Sequence, residues 1–365
     1  MPPDCYLPEA LVAGAPSTGW QVGKEEFLWE DNAQTLLQVT PRGVLGRGRT
    51  AEVEEVVVPG SVTALARKRV FIARINAPSA LEKTGLRAEI DILRNSSHHH
   101  IVKVIGCYQE PVGLYSANFF VLLYPSADCD LHIFLEEKCR NSCRITRKKY
   151  VWYIKKWFLC LASALAYLHY HGIHHEDIKP ANIVHRGKVV YFTDFSSSRK
   201  IASGDETSTE SPATATRLFA APEAMYEDGR MLRHGSKTDV YSLGLVFIEM
   251  LTVITGRGID DLREYVFGDT IGMRQYHRVI HKLVAWFRDS TDSKRLSSIV
   301  LSAMLKHERK DRLSAQGVAD RVRNLRDFYQ SDACGCKWIR WERAEDIIDN
   351  HNFTNTDEDG EFVIV

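Results

Sequence analysis

Read as a pattern of apolar and polar positions, the chain changes period twice. From about Gly43, the runs Val44-Leu45, Val53, Val56-Val57-Val58, Ala64-Leu65-Ala66 and Val70-Phe71-Ile72 are short, rich in β-branched residues and separated by Gly and Pro. They predict a meander of strands, because branched side chains fit a pleated surface and Gly and Pro punctuate it. Residues 80–94 switch to the three- and four-residue spacing of a helix, and 101–108 and 118–124 return to strand spacing.

Beyond Tyr150 the helical period dominates. Ile154, Phe158, Leu161, Leu165 and Leu168 share one face of a helix predicted over 150–171. A short strand pair is expected near Ile183 and 190–192, followed by helices over 237–255, 272–288, 295–306 and 314–329. Strands first and helices afterwards predict an α+β arrangement, a β-rich small lobe on a mainly helical large lobe. Residues 1–38, with early Pro, Gly and Ser and a later Trp29/Leu36/Leu37 patch, read as an extension. The small lobe then covers 39–123 and the large lobe 124–330. The Ser/Thr/Glu-rich stretch 201–216 reads as a flexible loop, and the polar, acidic tail 331–365 as loosely held.

Composition narrows the class. A chain of 365 residues with 44% hydrophobic and 26% charged residues has the material for a large core. Its 47 basic and 47 acidic residues give no net field that would favour nucleic acid or an anionic membrane surface. The eight cysteines are scattered without paired metal-ligand spacing, which points to a reduced intracellular compartment, cytoplasmic or nuclear. The start, MPPDCYLPEALVAG, lacks a basic region followed by an apolar core, so no secretory signal is expected. The most apolar long run, 241–256, is shorter than the ~20 residues a bilayer requires. It also contains Glu249, and it reads as a buried core helix with no membrane insertion.

Candidate chemistry is densest at His174-His175-Glu176-Asp177-Ile178-Lys179-Pro180-Ala181-Asn182, where an Asp and an Asn five positions later flank a Lys. Upstream lies Leu45-Gly46-Arg47-Gly48-Arg49-Thr50-Ala51-Glu52-Val53, whose glycines let backbone N–H groups approach phosphate oxygens. Ala66-Arg67-Lys68 follows, then Glu89 on the first predicted helix, Thr193-Asp194-Phe195-Ser196, Ala221-Pro222-Glu223, Asp239 to Gly244, and Arg312. The run His98-His99-His100 is a poor metal cluster, since adjacent side chains diverge in an extended segment.

In this order the motifs resemble those of the eukaryotic-type protein kinase family, over about residues 43–328. The resemblance implies a two-lobed kinase fold, ATP and magnesium (Mg2+) as cofactors, and a protein substrate offering a Ser or Thr hydroxyl. It implies that Asp177 orients that hydroxyl and accepts its proton, with Lys179 beside it, and that Asn182 and Asp194 hold magnesium. Lys68 would grip the phosphates, with Glu89 as its ion-pair partner. Leu45, Gly46 and Gly48 would form the lid over the nucleotide. Val53, Ala66 and Val184 would line the adenine pocket, and Leu123 would close its back. The Tyr124 carbonyl and the Ser126 N–H would face the base, and Asp130 the ribose. His175, Phe195, Glu223, Asp239 and Arg312 would be structural anchors, Arg312 pairing with Glu223. Lys179-Pro180 and Thr216 match the serine/threonine form of the family.

Three positions depart from the pattern: Ala51 replaces a third glycine, Glu176 an arginine that clasps a loop phosphate, and Ser196 the glycine after the metal-binding Asp. A carboxylate repels phosphate. Ser196 is expected at positive φ, with strain of roughly 1–2 kcal/mol. Together these departures support an alternative reading as a nucleotide-binding scaffold with little or no catalysis.

Overall fold

The computed structural model describes residues 39–47, 51–57, 63–73, 85–112, 114–200, 217–225, 235–268, 274–288, 294–325 and 339–341. Gly48, the extension 1–38, the loop 201–216 with Thr216, and all of the tail but 339–341 lie outside the described residues.

Five strands make the small lobe: β1 (Thr40–Arg47), β2 (Ala51–Val57), β3 (Ala64–Ala73), β4 (Lys103–Pro111) and β5 (Ser116–Tyr124). They form one antiparallel sheet in the order β1-β2-β3-β5-β4. The period of two in each strand sends alternate side chains to opposite faces. Register therefore lines up Gly46, Val53, Lys68 and Val121 in one row, and Glu55, Ala66 and Leu123 in the next row of the same face. Helix α1 (Leu86–Asn95) packs on that face through buried Leu86, Glu89, Ile90, Ile92 and Leu93.

The large lobe follows a short β6 (Cys129–Asp130) and α2 (Leu131–Ile133), which continues as a π-helical turn, Phe134–Lys138. Helix α3 (Arg144–Tyr170) begins six residues before the expected Tyr150. Its first turns carry Arg144, Arg147, Lys148 and Lys149 and face water, so no apolar stripe marks them. By length and apolarity α3 is long enough to cross a membrane, yet 78% of its apolar window is buried in the lobe. The strands β7 (Ile173–His174), β8 (Ile183–Arg186), β9 (Val189–Phe192) and β10 (Arg199–Lys200) frame the segments 174–182 and 193–196 in two small sheets, β6-β8-β9 and β10-β7.

Helix α4 (Ser236–Ile254) is buried along nearly its whole length and crosses α3. The carboxylate it carries into the core, Glu249, accepts from Arg263 Nη2 at 2.9 Å and from Tyr276 Oη at 2.8 Å, so the buried charge is paired. Helix α5 (Ile259–Phe267), which strand and helix periodicity alone did not mark, buries Ile259, Leu262, Val266 and Phe267. The expected helix over 272–288 is a 3-10 turn, Tyr276–Val279, leading into α6 (Ile280–Phe287). Helix α7 (Lys294–Ile299) runs into a π-helical turn, Val300–Met304, and α8 (Ala315–Arg323) packs along α3.

The tail is more firmly held at one point than its composition suggested. Trp341 packs on Tyr167, Tyr170 and His171 at the end of α3, and its backbone N–H donates to Gln316 Oε1 at 2.6 Å.

Candidate active site

The junction of the lobes is built around Lys68. Its Nζ donates to both Glu89 carboxylate oxygens at 2.8 Å and to Asp194 Oδ1 at 2.9 Å. The three residues come from β3, α1 and the loop after β9. Burial pulls the ammonium towards the neutral form, but the two carboxylates more than offset it and push its pKa up to about 12. The Asp194 carboxyl is pushed up by burial and pulled down further by Lys68 and the Ser196 hydroxyl, ending below its ordinary value.

Asp177 lies in the loop between β7 and β8. Its Oδ2 accepts from Lys179 Nζ at 2.6 Å and from Asn182 Nδ2 at 2.9 Å, and its backbone carbonyl from the same Asn182 amide at 2.8 Å. The loop is pinned from the buried side by Asp239, at the start of α4. Asp239 Oδ2 accepts from the His175 N–H and Oδ1 from the Glu176 N–H, each at 2.9 Å, and His169 Nε2 lies 3.0 Å from Oδ2. Burial pushes the Asp239 carboxyl up; the His169 bond and its neighbouring histidines more than reverse this, leaving it lowered. The His175 ring lies 4.7 Å from the fully buried Phe195 ring, and its Nε2 lies 3.2 Å from the Thr193 carbonyl.

The cleft walls follow from register. Leu45, Val53 and Val184 are half-buried apolar side chains at the edge of the core, while Ala66 and Leu123 are buried. Asp130 pairs with Val184 across β6 and β8, and its Oδ1 accepts from the Ile133 N–H at 2.8 Å, capping α2. One oxygen of the residue expected to meet a ribose is thus committed to a helix terminus. At the lobe connection Ser126 is buried, and its hydroxyl donates to Glu55 Oε1 at 2.9 Å, tying the segment after Tyr124 to β2. A Cβ on Gly46 would meet nothing within 4 Å, so the space around this lid residue is open.

The departures resolve differently from expectation. Among the described residues the non-glycine positions at positive φ are Glu176 (62°) and Asp194 (59°), not Ser196. The predicted strain at Ser196 is therefore corrected: the turn places the left-handed conformation on the Asp itself. Ser196 instead donates through Oγ to Asp194 Oδ1 at 2.9 Å. Glu176 is almost fully buried and faces Arg199 of β10, with 3.4 Å between Oε2 and Nε. Where the family pattern has a cation awaiting a phosphate, this chain carries the opposite arrangement, an anion facing its own arginine. Gly85, just before α1, has φ 67°, and a Cβ there would sit 2.7 Å from the Ser196 carbonyl oxygen.

Sequence reasoning did not single out Arg199, Gly85 or Glu55. The signals existed in hindsight: a basic residue shortly after the Asp-Phe-Ser motif, a glycine before a helix, and an acid beside apolar Val56. None identifies its partner without the fold.

The anchor beneath the site is Glu223 with Arg312. Arg312 is fully buried, donates to the two carboxylate oxygens at 2.6 and 2.8 Å, and lies 4.6 Å over the Tyr241 ring. Thr238 Oγ1 donates to Glu223 Oε1 at 2.9 Å. The histidine rings stay in contact, His100 lying 4.9 Å from His99 and 5.7 Å from His98, while His100 Nδ1 meets the Val190 carbonyl at 2.8 Å and His98 leans on Tyr167. Among the described residues no group of three His, Cys, Asp or Glu is placed to hold a metal.

A dinuclear carboxylate cage is thus not what this cleft offers. As metal ligands it offers the carboxylate of Asp194 and the amide oxygen of Asn182, whose nitrogen is turned to the carboxylate of Asp177. Hard oxygen donors in such small number fit magnesium, which retains waters and shares its shell with substrate phosphates. Lys68, held charged at the same place, fits a polyphosphate anion.

These features define a two-lobed fold with a charged cleft at the junction of the lobes. The chain belongs to the protein kinase family: the family model for the protein kinase domain matches residues 40–322. It is 29% identical over 219 residues to the mitogen-activated protein kinase kinase kinase ANP1 of Arabidopsis thaliana, covering 57% of this chain and 29% of that protein. It is 28% identical over 215 residues to the human mitogen-activated protein kinase kinase kinase 3, covering 57% of this chain and 31% of that one. It is also 27% identical over 250 residues to the L-type lectin-domain containing receptor kinase V.7 of Arabidopsis thaliana, covering 67% and 35%. The match spans about a third of the length of these curated relatives.

Proposed function

We propose that this domain is an ATP- and magnesium-dependent serine/threonine protein kinase. The observation that carries the proposal is the simultaneous bonding of Lys68 Nζ to Glu89 and Asp194, which joins both lobes at the point where a polyphosphate would lie. ATP with magnesium would supply the phosphoryl group and much of the charge neutralisation around it.

The chain's own residues do the rest. Asp177, oriented through Oδ2 by Lys179 and Asn182, accepts the proton of the acceptor hydroxyl. Lys179 Nζ, 2.6 Å from that carboxylate, adds positive charge beside the transferring group. Lys68 holds phosphate oxygens, and Glu89 fixes Lys68. Asp194 and Asn182 offer the oxygen donors for the metal. Lys179-Pro180 after the base supports a Ser or Thr acceptor rather than Tyr.

One observation favours the second reading, a nucleotide-binding scaffold. Asp194 Oδ1 is already shared by Lys68 and the Ser196 hydroxyl, which reduces its capacity as a metal ligand. The test is transfer of labelled phosphate from magnesium–ATP to a generic protein substrate, followed by identification of the phosphorylated residue type. Label on Ser or Thr supports the kinase. Nucleotide binding with no transfer in any form moves the assignment to the scaffold.

A further inference from the structure

The balanced charge of the whole chain conceals a one-sided stretch. From Lys138 to His175 the sequence holds no Asp or Glu, while basic residues crowd 138–149 and recur at Lys155 and Lys156. The fold divides them between two sides of α3. Arg140 pairs with Asp260 of α5 at 2.7 Å, and Arg147 Nη2 donates to the Gly256 carbonyl at 3.0 Å, which fastens the start of α3 to the turn between α4 and α5. On the inward side Tyr150 and Trp157 pack on Phe134, with ring centres 4.9 and 5.0 Å away.

The outward side collects the rest. At about 100° per residue, Arg144, Lys155, Lys148, Trp152, Ile145 and Lys149 follow one another around the helix within an arc of about 140°. Trp152 and Ile145 stand in the middle of that arc, 44% and 82% exposed. Exposed Arg144 and Lys148 and half-buried Lys155 lie along one flank, and exposed Lys149 along the other. Lys149 Nζ lies 5.6 Å from the Tyr153 ring centre, and Lys156 Nζ 5.7 Å from that of Trp152. The face is thus an apolar ridge between two cationic flanks.

We propose that this face of α3 adsorbs to an anionic phospholipid bilayer, with the helix lying in the membrane plane. The ridge gains by entering the boundary between headgroups and acyl chains, while the flanking Lys and Arg reach headgroup phosphates. From Arg144 to Lys155 the face runs about 17 Å along the axis. A single helix face is convex, and the shape selects the partner. A flat bilayer meets the ridge and both flanks together. An extended acidic peptide follows one flank, and a nucleic acid pairs with the cations and leaves Ile145 in water. Because 78% of the apolar window of α3 is buried in the lobe, the helix stays in the fold and the contact is adsorption, not crossing. The Arg140 and Arg147 bonds hold the face in shape before contact, so little ordering opposes binding.

Co-sedimentation of the full chain with vesicles of phosphatidylcholine alone, or mixed with phosphatidylserine, tests this. The mixed vesicles should bind, the neutral ones should not, and added salt should weaken binding. Two double variants divide the face: Lys148→Glu with Lys149→Glu reverses the cations, and Ile145→Ser with Trp152→Ser removes the ridge. Each should lower the partition coefficient about tenfold or more while the thermal midpoint stays near that of wild type. Absence of binding to the mixed vesicles, equal binding to both kinds, or wild-type binding by either folded variant overturns the proposal. Capture by heparin or a poly-glutamate peptide through Lys148 and Lys149, with the vesicles left unbound, assigns the face to a soluble polyanion and also overturns it. Should a double variant melt early, Ile145→Ser alone decides, since that side chain is 82% exposed. Weakened vesicle binding then supports the proposal, and unchanged binding overturns it.

Discussion

The catalytic loop and the lysine junction sit in one cleft but are held by different kinds of structure. The loop's carboxylate, Asp177, is oriented by neighbours two and five residues away, and its backbone hangs on the buried Asp239 of α4. Everything that positions the proton acceptor belongs to the large lobe. The junction draws Lys68, Glu89 and Asp194 from three separate elements across two lobes. It also depends on a close backbone approach between Gly85 and Ser196. The proposed base is therefore built in with the fold, whereas the proposed phosphate grip depends on where α1 stands. Substitutions on the two sides should separate activity from stability.

The largest effect on activity should come from Lys68→Met. It removes the cation from the phosphate site, so transfer should fall by at least ~10²–10³-fold, the scale of losing one preorganised electrostatic group. The denaturation midpoint should move little, because the junction is not the large-lobe core. Initial rates and urea melts on the same preparation check both halves. An unfolded Lys68→Met would collapse the distinction between the two regions.

Arg312→Met should do the reverse. Leaving Glu223 buried without its partner costs about 3–5 kcal/mol, read as a lowered denaturation midpoint. Burial pushes the Glu223 carboxyl up, but the Arg312 and Thr238 bonds and the Arg312 charge pull it below the ordinary range. A depressed folded pKa contributes stability that is present above the unfolded value of about 4.3 and is lost as pH falls through the folded value. In the variant burial acts on Glu223 without the Arg312 charge and raises its carboxyl, so the stability gap should be widest towards neutral pH, begin to shrink above the unfolded value as pH falls, and go on shrinking through the lowered wild-type value. A gap independent of pH would contradict the pairing.

Gly85→Ala acts on the junction without touching a charged group. The new Cβ would meet the Ser196 carbonyl at 2.7 Å, and φ 67° disfavours any L side chain by ~1–2 kcal/mol. If α1 yields by shifting away from Asp194, transfer should drop roughly tenfold, since 1.4 kcal/mol on a barrier is a factor of ten. An unchanged rate would show that the close approach does not govern the lysine junction.

Arg199→Ala should have the smallest effect. Its guanidinium is 43% exposed, so loss of the pair with Glu176 should cost below about 1 kcal/mol. Phosphatase treatment should leave the wild-type rate nearly constant, because Glu176 offers no cation to a loop phosphate. A collapse of rate on dephosphorylation would contradict this.

Much of this comparison was legible before any coordinates. Lys68, Glu89, Asp177, Asn182 and Asp194 were picked out through the resemblance of their motifs to the kinase family, and the fold brings Lys68 onto Glu89 and Asp194 and Asn182 onto Asp177. The alternation of β2, β3 and β5 is what carries Val53, Ala66, Lys68 and Leu123 to one face. The fold class follows from strand periodicity giving way to helical periodicity. What was illegible depends on contacts distant in sequence. Nothing local says that the left-handed backbone falls on Asp194 rather than Ser196, or that Glu176 meets Arg199. The basic first turns of α3 hid its start, and the short α5 offered too few apolar positions to stand out. Trp341 lies in a tail of polar composition, so only its packing on α3 reveals that this point is held.

The central claim is that Asp177 performs proton acceptance while a separate junction holds the nucleotide. It is tested most directly by comparing wild type with Asp177→Asn, measuring labelled phosphate transfer and the magnesium-dependent thermal shift with ATP on the same samples. The account predicts that the variant keeps the shift, since Lys68 and Asp194 are untouched, and loses transfer. Transfer at the wild-type rate in Asp177→Asn would contradict it.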